Sequence, residues 1–399
     1  MPQRIVFVCT TYLPRVTGVA TVLHAWAQQL LSLGVEVTVV APEYPPTPFY
    51  PSPSYPEGLR IVRLPSRPAP VVLGIQQPLA RGMAWEGLLA ELRGADAVVH
   101  AQDVLVSGKI ALKLAGRCGL PVVLHGHYPI GEADLSGWLP FSLPPAARRV
   151  LNAVTARAAA RLARSTCRRA AAVAVVSPYM QEVFRRHRVA QPLLVPCGIE
   201  VPSEPSRVDI RSRHGIPADA RICLFVGRAD PDKGIPDLLQ AAAHLRHHEP
   251  RAHLLIVGGG PYLSRYALQA ETMRLKDAVT FAGWVPYRDV WAYYRQSDLF
   301  LIASPHEAQG LVVVEALATG LPVVGYRGGG VSLLVEEGRT GLLTEHDPEA
   351  LARAALALLS DGERRRAMAA AAPEGAAPYA IHRMFPSLLD VYARVRARA

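Results

Sequence analysis

Ser304-Pro305-His306-Glu307-Ala308-Gln309-Gly310-Leu311-Val312-Val313-Val314-Glu315-Ala316-Leu317-Ala318-Thr319-Gly320-Leu321-Pro322 holds two carboxylates eight positions apart inside an apolar frame. Just before it, residues 298–303 form an apolar run of strand length, and from Gly310 the apolar residues recur at helical spacing until Gly320 and Pro322 close the pattern. The order is strand, loop, helix. Glu307 then falls on the loop at the strand's C-terminal end, and Glu315 about a turn into the helix. In an open parallel sheet that crevice is where ligands bind, and bare N–H groups at a helix start attract phosphate. Two carboxylates beside an anion site suggest recognition of a phosphorylated polyol. A surface Glu and a capping Glu are the plainer alternative, and the stretch by itself leaves both open.

Outward from it, the second half of the chain alternates strands and helices. Residues 222–226 read as a strand, 227–234 as a loop, 235–247 as a helix, and 253–257 and 279–283 as strands. Arg228 and Lys233 flank one strand-to-helix loop, so two cations and free backbone N–H groups meet there, which suits a diphosphate; two solvated loop charges are the alternative. Asp230 and Asp232 lie at a helix start beside that Lys and read as caps. Beyond the opening stretch, residues 322–325 read as a strand, Gly328-Gly329-Gly330 as a flexible turn, 350–359 as an amphipathic helix, 369–379 as an Ala- and Pro-rich connector, and 385–398 as a final helix.

The first half has the same alternation. A strand at 5–9, a loop ending at Gly18, a helix at 19–33 and a strand at 35–40 make one βαβ unit, with Gly18 where a ligand can approach the backbone. No Gly-x-Gly-x-x-Gly follows that strand, so a dinucleotide fingerprint is absent. Ten prolines between 42 and 70 imply a long loop around a short strand at 59–64. A strand at 97–100, a helix at 107–118 and a strand at 121–124 follow, the last delivering His125-Gly126-His127 to the same edge. No third ligand with usable spacing supports a metal there, and a single His aimed at the crevice is the expectation. The Pro- and Ser-rich residues 195–206 read as a linker, which divides the chain almost evenly.

Length and composition agree with two domains: 399 residues, half of them apolar, exclude a single small module. No apolar stretch reaches the roughly 18 residues needed to cross a bilayer, and residues 4–9 are too short and too poorly flanked for a signal peptide, so a cytoplasmic protein is expected. Five scattered cysteines, with no Cys-x-x-Cys, indicate neither a disulfide framework nor a zinc site. The 43 Lys and Arg outnumber the 33 Asp and Glu, and no acid occurs from Leu135 to Gln181. There Arg148, Arg149, Arg157, Arg161, Arg164, Arg168 and Arg169 build a basic amphipathic helix, 148–169. It is either a solvated helix, a surface for anionic lipid on the inner face of the membrane, or a site for an acidic partner. Nucleic acid is not indicated, since aromatic interleaving and finger motifs are missing.

Phe225-Val226-Gly227-Arg228 with Lys233-Gly234, then Gly258-Gly259-Gly260-Pro261, Phe281-Ala282-Gly283, and Glu307 through Val324 occur in an order that resembles the GT-B glycosyltransferases, in particular the retaining family 4. The resemblance implies an α/β fold of two Rossmann-like domains facing across a cleft. Residues 1–200 would bind the acceptor, 201–379 the nucleotide sugar, and 380–399 would pack back on the first domain. It implies transfer of a hexosyl group, with retention, from a nucleotide diphosphate sugar to an acceptor hydroxyl, on a sugar, a small molecule or a lipid-linked glycan, with no cofactor and no metal. In the family Arg228 and Lys233 would neutralise the diphosphate, Glu307 would face the donor sugar's hydroxyls, and Glu315 would hold the ribose. Gly310, Leu311 and Val312 would offer backbone N–H groups, Val285 would meet the base, Gly18 would approach the donor, and His125 would stand near the reacting carbon. Three positions depart from the pattern: Gln309 stands where an aromatic is common, Thr17-Gly18 replaces a Gly pair, and Ser332-Leu333 follows the triple glycine. Glu307 with Gln309 is therefore where sugar choice is expected. A non-catalytic sugar-nucleotide or glycan-binding protein and a sugar-nucleotide epimerase on the same scaffold are the competing functions.

Overall fold

The computed structural model describes residues 1–44, 55–68, 76–132, 144–204, 206–304 and 306–397. They form two compact units, Met1–Gly198 with His382–Ala399, and Ile199–Ile381. Part of the proline-rich stretch (45–54, 69–70) and the start of the acid-free window (135–143) lie outside the described residues.

The first unit runs β1 (Arg4–Val8), α1 (Gly18–Ser32), β2 (Glu36–Pro42), β3 (Arg60–Leu64), β4 (Ser66–Pro68), β5 (Gln76–Pro78), α2 (Met83–Leu92), β6 (Ala97–Ala101), α3 (Val106–Cys118), β7 (Val122–Gly126), α4 (Pro145–Cys167), β8 (Ala172–Val175), α5 (Pro178–Arg186) and β9 (Leu193–Leu194). Its seven-stranded sheet has the order β3-β2-β1-β6-β7-β8-β9, parallel throughout. β4 and β5 make a small antiparallel ribbon. The second unit runs α6 (Ile210–His214), β10 (Arg221–Val226), α7 (Ile235–His248), β11 (Ala252–Val257), α8 (Leu263–Thr272), β12 (Val279–Gly283), α9 (Tyr287–Arg295), β13 (Leu299–Ile302), α10 (Leu311–Ala318), β14 (Val323–Tyr326), α11 (Val331–Leu334), β15 (Gly341–Thr344), α12 (Pro348–Ser360) and α13 (Gly362–Ala376). Its six parallel strands are ordered β12-β11-β10-β13-β14-β15.

Strands such as β1 from Ile5 and β11 from Leu254 run apolar without polar alternation, the pattern of parallel strands buried on both faces. Strand order reverses between β1 and β6 in the first sheet and between β10 and β13 in the second, and loops diverge there to leave a crevice. Local chemistry sets the helix starts. Thr17, Ser177 and Asp347 side chains accept the backbone N–H groups of Ala20, Met180 and Ala350.

Helices α2, α5, α6, α8, α9, α11 and α13 go beyond the sequence expectation. α8 buries only Tyr266 and Ala270, too thin an apolar stripe to read. In α9 the buried run Val290 to Tyr294 has no clear period. Residues 369–376 form no connector. They continue α13 through Pro373, because an Ala-rich segment propagates a helix well and Met368, Ala372 and Ala376 are buried.

α14 (Ile381–Arg396) belongs to the first unit from His382 onward. The two chain crossings are bound to each other: Ile199 N–H donates to Tyr379 O and Ile381 N–H to Ile199 O, both at 2.9 Å. Along α14, Leu388, Val391, Tyr392 and Val395 are buried, and Arg396 pairs with Asp96 at 2.9 Å. The Tyr392 hydroxyl meets His100 Nδ1 at 2.7 Å, with both side chains fully enclosed. Tyr392→Phe strands that imidazole nitrogen. The expected cost is about 1–3 kcal/mol in urea unfolding of the first unit, and no change would show the contact to be idle.

Candidate functional site

In the second unit the strand-order reversal sets the loop after β10 beside the loop after β13. Ser304 Oγ donates to Asp232 O at 3.0 Å, and Lys233 Nζ lies 2.6 Å from Glu307 Oε1 and 3.5 Å from Asp232 Oδ2. The Lys233 and Glu307 side chains are 20% and 15% exposed. Burial works against the lysine's charge, but Glu307 first and then Asp232 outweigh it and raise its pKa, so Lys233 stays an ammonium. Arg228 pairs with Asp230, which is 1% exposed, at 2.9 Å. Asp230 makes no side-chain capping bond, and α7 starts instead at left-handed Gly234. The aspartates of Asp230-Pro231-Asp232 are therefore partners of the two cations and not helix caps.

Glycines let these loops touch backbone to backbone. A Cβ on Gly258 would stand 1.8 Å from Gly227 O, and one on Gly234 2.2 Å from Ala303 O. The triple glycine, expected as a flexible turn, is pinned against the carboxylate loop: Gly330 N–H donates to Glu307 O at 2.6 Å, and a Cβ on Gly330 would meet Gln309 O at 2.5 Å. Gln309 is 6% exposed. Gly310, left-handed at φ 85°, starts α10 without a side-chain cap, so Leu311 and Val312 open the helix with uncapped N–H groups.

Glu315 lies on the buried side of α10, 6% exposed, and two phenols hold it: Tyr287 donates to Oε1 at 3.0 Å and Tyr294 to Oε2 at 2.7 Å. Burial pushes its carboxyl up to about 7, against the pull of both phenols. The sequence reading missed Tyr287 and Tyr294. They are seven positions apart, two turns of one helix face, a signal that was present, but nothing local says that this face meets Glu315. Val285 precedes α9 and is buried in the unit's core.

In the first unit, Gly18 is the exposed first residue of α1. β7 runs two residues further than expected, so His125 lies within the strand. Its ring is wholly enclosed, stacked on Trp26 at 5.3 Å and His100 at 5.5 Å, and Nε2 donates to Val195 O at 3.1 Å. Burial, then His127 and His100, hold it neutral. His127 is the first residue past β7. Its Nε2 meets Gln102 Oε1 at 3.0 Å, one residue past β6, beside the reversal. Burial pushes His127 down to about 3.

Two doubly wound parallel sheets in one chain, each with polar loops at its C-terminal edge, define the GT-B class. Comparison with known proteins agrees. Residues 206–375 match the family described as Glycosyl transferases group 1, and residues 16–203 match Glycosyltransferase Family 4. D-inositol 3-phosphate glycosyltransferase 1 of Catenulispora acidiphila is 32% identical over 385 residues, 92% of this chain and 88% of that one. The Corynebacterium urealyticum protein described as D-inositol 3-phosphate glycosyltransferase is 39% identical over 198 residues. That match covers 48% of this chain and 47% of the relative, about half its length. Among solved structures, sucrose-phosphate synthase from Thermosynechococcus elongatus matches with a TM-score of 0.77 and 23% identity over 100% of both chains. Anabaena HepE in complex with UDP-glucose matches with a TM-score of 0.74 and 18% identity over 98% of this chain and 99% of that one. The chain belongs to the family 4, group 1 glycosyltransferases of GT-B fold.

The Glu315 carboxyl, near 7 in the folded chain against an ordinary 4.5, keeps a proton that the unfolded chain releases. Its contribution to stability is whole below about pH 4.5 and is lost as pH rises through 7. Glu315→Gln never carries the charge, so it should gain about 1–3 kcal/mol over the native chain at pH 8 and nothing at pH 4. Equal stability differences at both pH values would contradict the raised carboxyl.

Proposed function

We propose that the chain transfers a hexosyl group from a nucleotide diphosphate sugar to an acceptor hydroxyl, with retention at the anomeric carbon and without an active-site metal. The Lys233–Glu307 pair, with Arg228 beside it at the strand-order reversal, carries this reading. A donor diphosphate at this edge exchanges partners with the pair. Lys233 and Arg228 turn to the phosphates, and Glu307 is freed to accept from the sugar's hydroxyls. Charge grows on the leaving diphosphate as the glycosidic bond breaks, and preorganised cations stabilise that charge more than the ground state. Glu307 orients the sugar and is not a double-displacement nucleophile; the attack is front-face, assisted by the leaving phosphate. Leu311 and Val312 N–H groups meet sugar and phosphate, Glu315 anchors the ribose, Val285 lies at the base, and Gln309 helps select the sugar. UDP-glucose, the ligand of HepE, is the first donor to try.

In the first unit we assign the acceptor-side imidazole to His127, since the His125 ring is sealed in the core. The relatives' name makes a phosphorylated polyol the first acceptor to try. Lys233→Ala should lower turnover on the order of 10²–10³, and His127→Ala should lower it while leaving UDP affinity intact. Donor supplied alone distinguishes the rivals: slow hydrolysis marks a transferase, an isomerised donor an epimerase, and an unchanged donor a binding protein. Wild-type turnover by Lys233→Ala would remove the electrostatic role.

The basic helix supports a lipid-linked acceptor at an anionic membrane surface. In α4 the buried residues cluster from Ala160 to Cys167, while Val150 and Val154 are 63% and 57% exposed among Arg148, Arg149, Arg157 and Arg161. Among the described residues no helix is long and apolar enough to cross a membrane. Flotation with vesicles should rise with anionic lipid and fall with salt; indifference to both would remove the membrane role.

A further inference from the structure

We propose that Tyr287 and Tyr294 are positioning residues for the donor nucleotide: their phenols hold Glu315 ionised and aimed, so that the ribose is gripped only after one proton has left that carboxyl. The proposal rests on the transferase reading above and adds how its ribose anchor is set.

Tyr287 donates to Glu315 Oε1 at 3.0 Å and Tyr294 to Oε2 at 2.7 Å, so each carboxylate oxygen has one phenol and keeps lone-pair room for one more donor. The phenols are themselves held in place. Tyr287 packs edge-on against Trp291 with ring centroids 6.0 Å apart, Trp291 lies 6.1 Å from Tyr294, and Tyr294 lies 5.7 Å from Phe300 of β13, an aromatic ladder that runs from α9 into the sheet. Both phenols keep their protons, because burial first and then the Glu315 charge push them well up. They act as fixed donors.

Among the described residues no cation pairs with Glu315. The elements packed against α10 are α9, α11, α13 and β14, and apart from the two phenols their titratable groups turn elsewhere. On α9, Asp289 accepts from Ser206, Tyr293 meets His214, and Arg288 and Arg295 are exposed. On β14, Tyr326 donates to Asp237, and α11 has no titratable side chain. On α13, Arg365 faces Asp298 at 3.7 Å, Glu374 pairs with Arg339, and Glu363, Arg364 and Arg366 are exposed. Glu200 acts on Tyr287 from outside this set. A carboxylate so enclosed, with two neutral donors alone, is short of partners, which is why burial pushes it up to about 7 while the phenols pull it down. Two ribose hydroxyls, one donated to each oxygen, supply the missing pair. They suit the ionised form, since a protonated carboxyl turns one of its oxygens into a donor. At the head of the same helix Gly310 leaves N–H groups uncapped, so ribose and diphosphate fall along one element.

The test is calorimetric titration of the full chain with UDP-glucose, GDP-mannose and ADP-glucose from about pH 6 to about pH 8.5, run on the native chain, Tyr287→Phe, Tyr294→Phe and Glu315→Gln. A diphosphate esterified at both ends has no proton to lose in that range, so the profile reads the protein. In the native chain, affinity for the nucleotide sugar that binds should fall towards tenfold per pH unit below about 7 and level off above it. Tyr287→Phe and Tyr294→Phe keep the ring and lose the donor, so the carboxyl rises further and the midpoint should move up by about one pH unit. Affinity at pH 7 then falls about fivefold, and most of it returns by about pH 8.5. A tyrosine that only packed the core would lower affinity alike at every pH. Glu315→Gln should bind more weakly and show no step. The proposal is overturned if Tyr287→Phe or Tyr294→Phe keeps the native midpoint, if the native profile is flat, or if Glu315→Gln retains the step. Unmoved midpoints in a chain that binds a nucleotide sugar refute the positioning role alone, whereas binding of none of the three ligands at any pH overturns the transferase reading and this inference with it.

Discussion

Lys233 and Glu307 stand 74 positions apart in sequence and 2.6 Å apart in space, and the architecture of the second unit serves that contact. β10 and β13 lie side by side only because the chain builds outward in one direction as far as β12 and then returns to the other side of β10. That reversal puts two strand-to-helix loops in register at one edge. A cation-bearing loop alone would be two solvated charges, and a glutamate-bearing loop alone a surface carboxylate. Held together and largely shielded from water, they attract strongly, and each is a strong partner for a ligand of the right charge.

Close backbone packing makes the pair possible. Gly234 against Ala303, Gly258 against Gly227, and Gly330 against Gln309 leave no room for a Cβ, so the loops are locked to each other and to the sheet. The glycine-rich segments therefore bring rigidity to the edge, where composition suggests flexibility. Behind the edge, Glu315 is fixed by Tyr287 and Tyr294 from α9, a positioned carboxylate whose proton affinity its burial has raised. The two glutamates of the opening stretch thus sit in different electrostatic settings, one paired with an ammonium and one capped by two phenols.

The first unit repeats the topology with different chemistry. Its edge has no carboxylate–ammonium pair of this kind among the described residues. Instead it has a stack of neutral imidazoles behind His127, with Tyr392 of α14 closing the far end on His100, and two guanidinium groups in and beside the β1–α1 loop. An enclosed, neutral aromatic stack gives a stiff wall.

The alternating apolar runs, the loop positions of Arg228, Lys233 and Glu307, and the helical start at Gly310 were legible because strand and helix periods and turn glycines are local properties. Helices with a thin or periodless apolar stripe, such as α8 and α9, were not, since their stability comes from tertiary packing. The ordered motifs also sufficed to place the chain in its family. Tertiary structure alone decided which neighbours each side chain has. It paired Asp230 with Arg228, set Tyr287 and Tyr294 on Glu315, pinned the triple glycine to the Glu307 loop, and sealed His125 inside β7 while leaving His127 at its end. The reason is physical. Periodicity records which way a side chain faces along its own element, whereas partners, burial and the resulting pKa values depend on elements that the chain brings together from far apart.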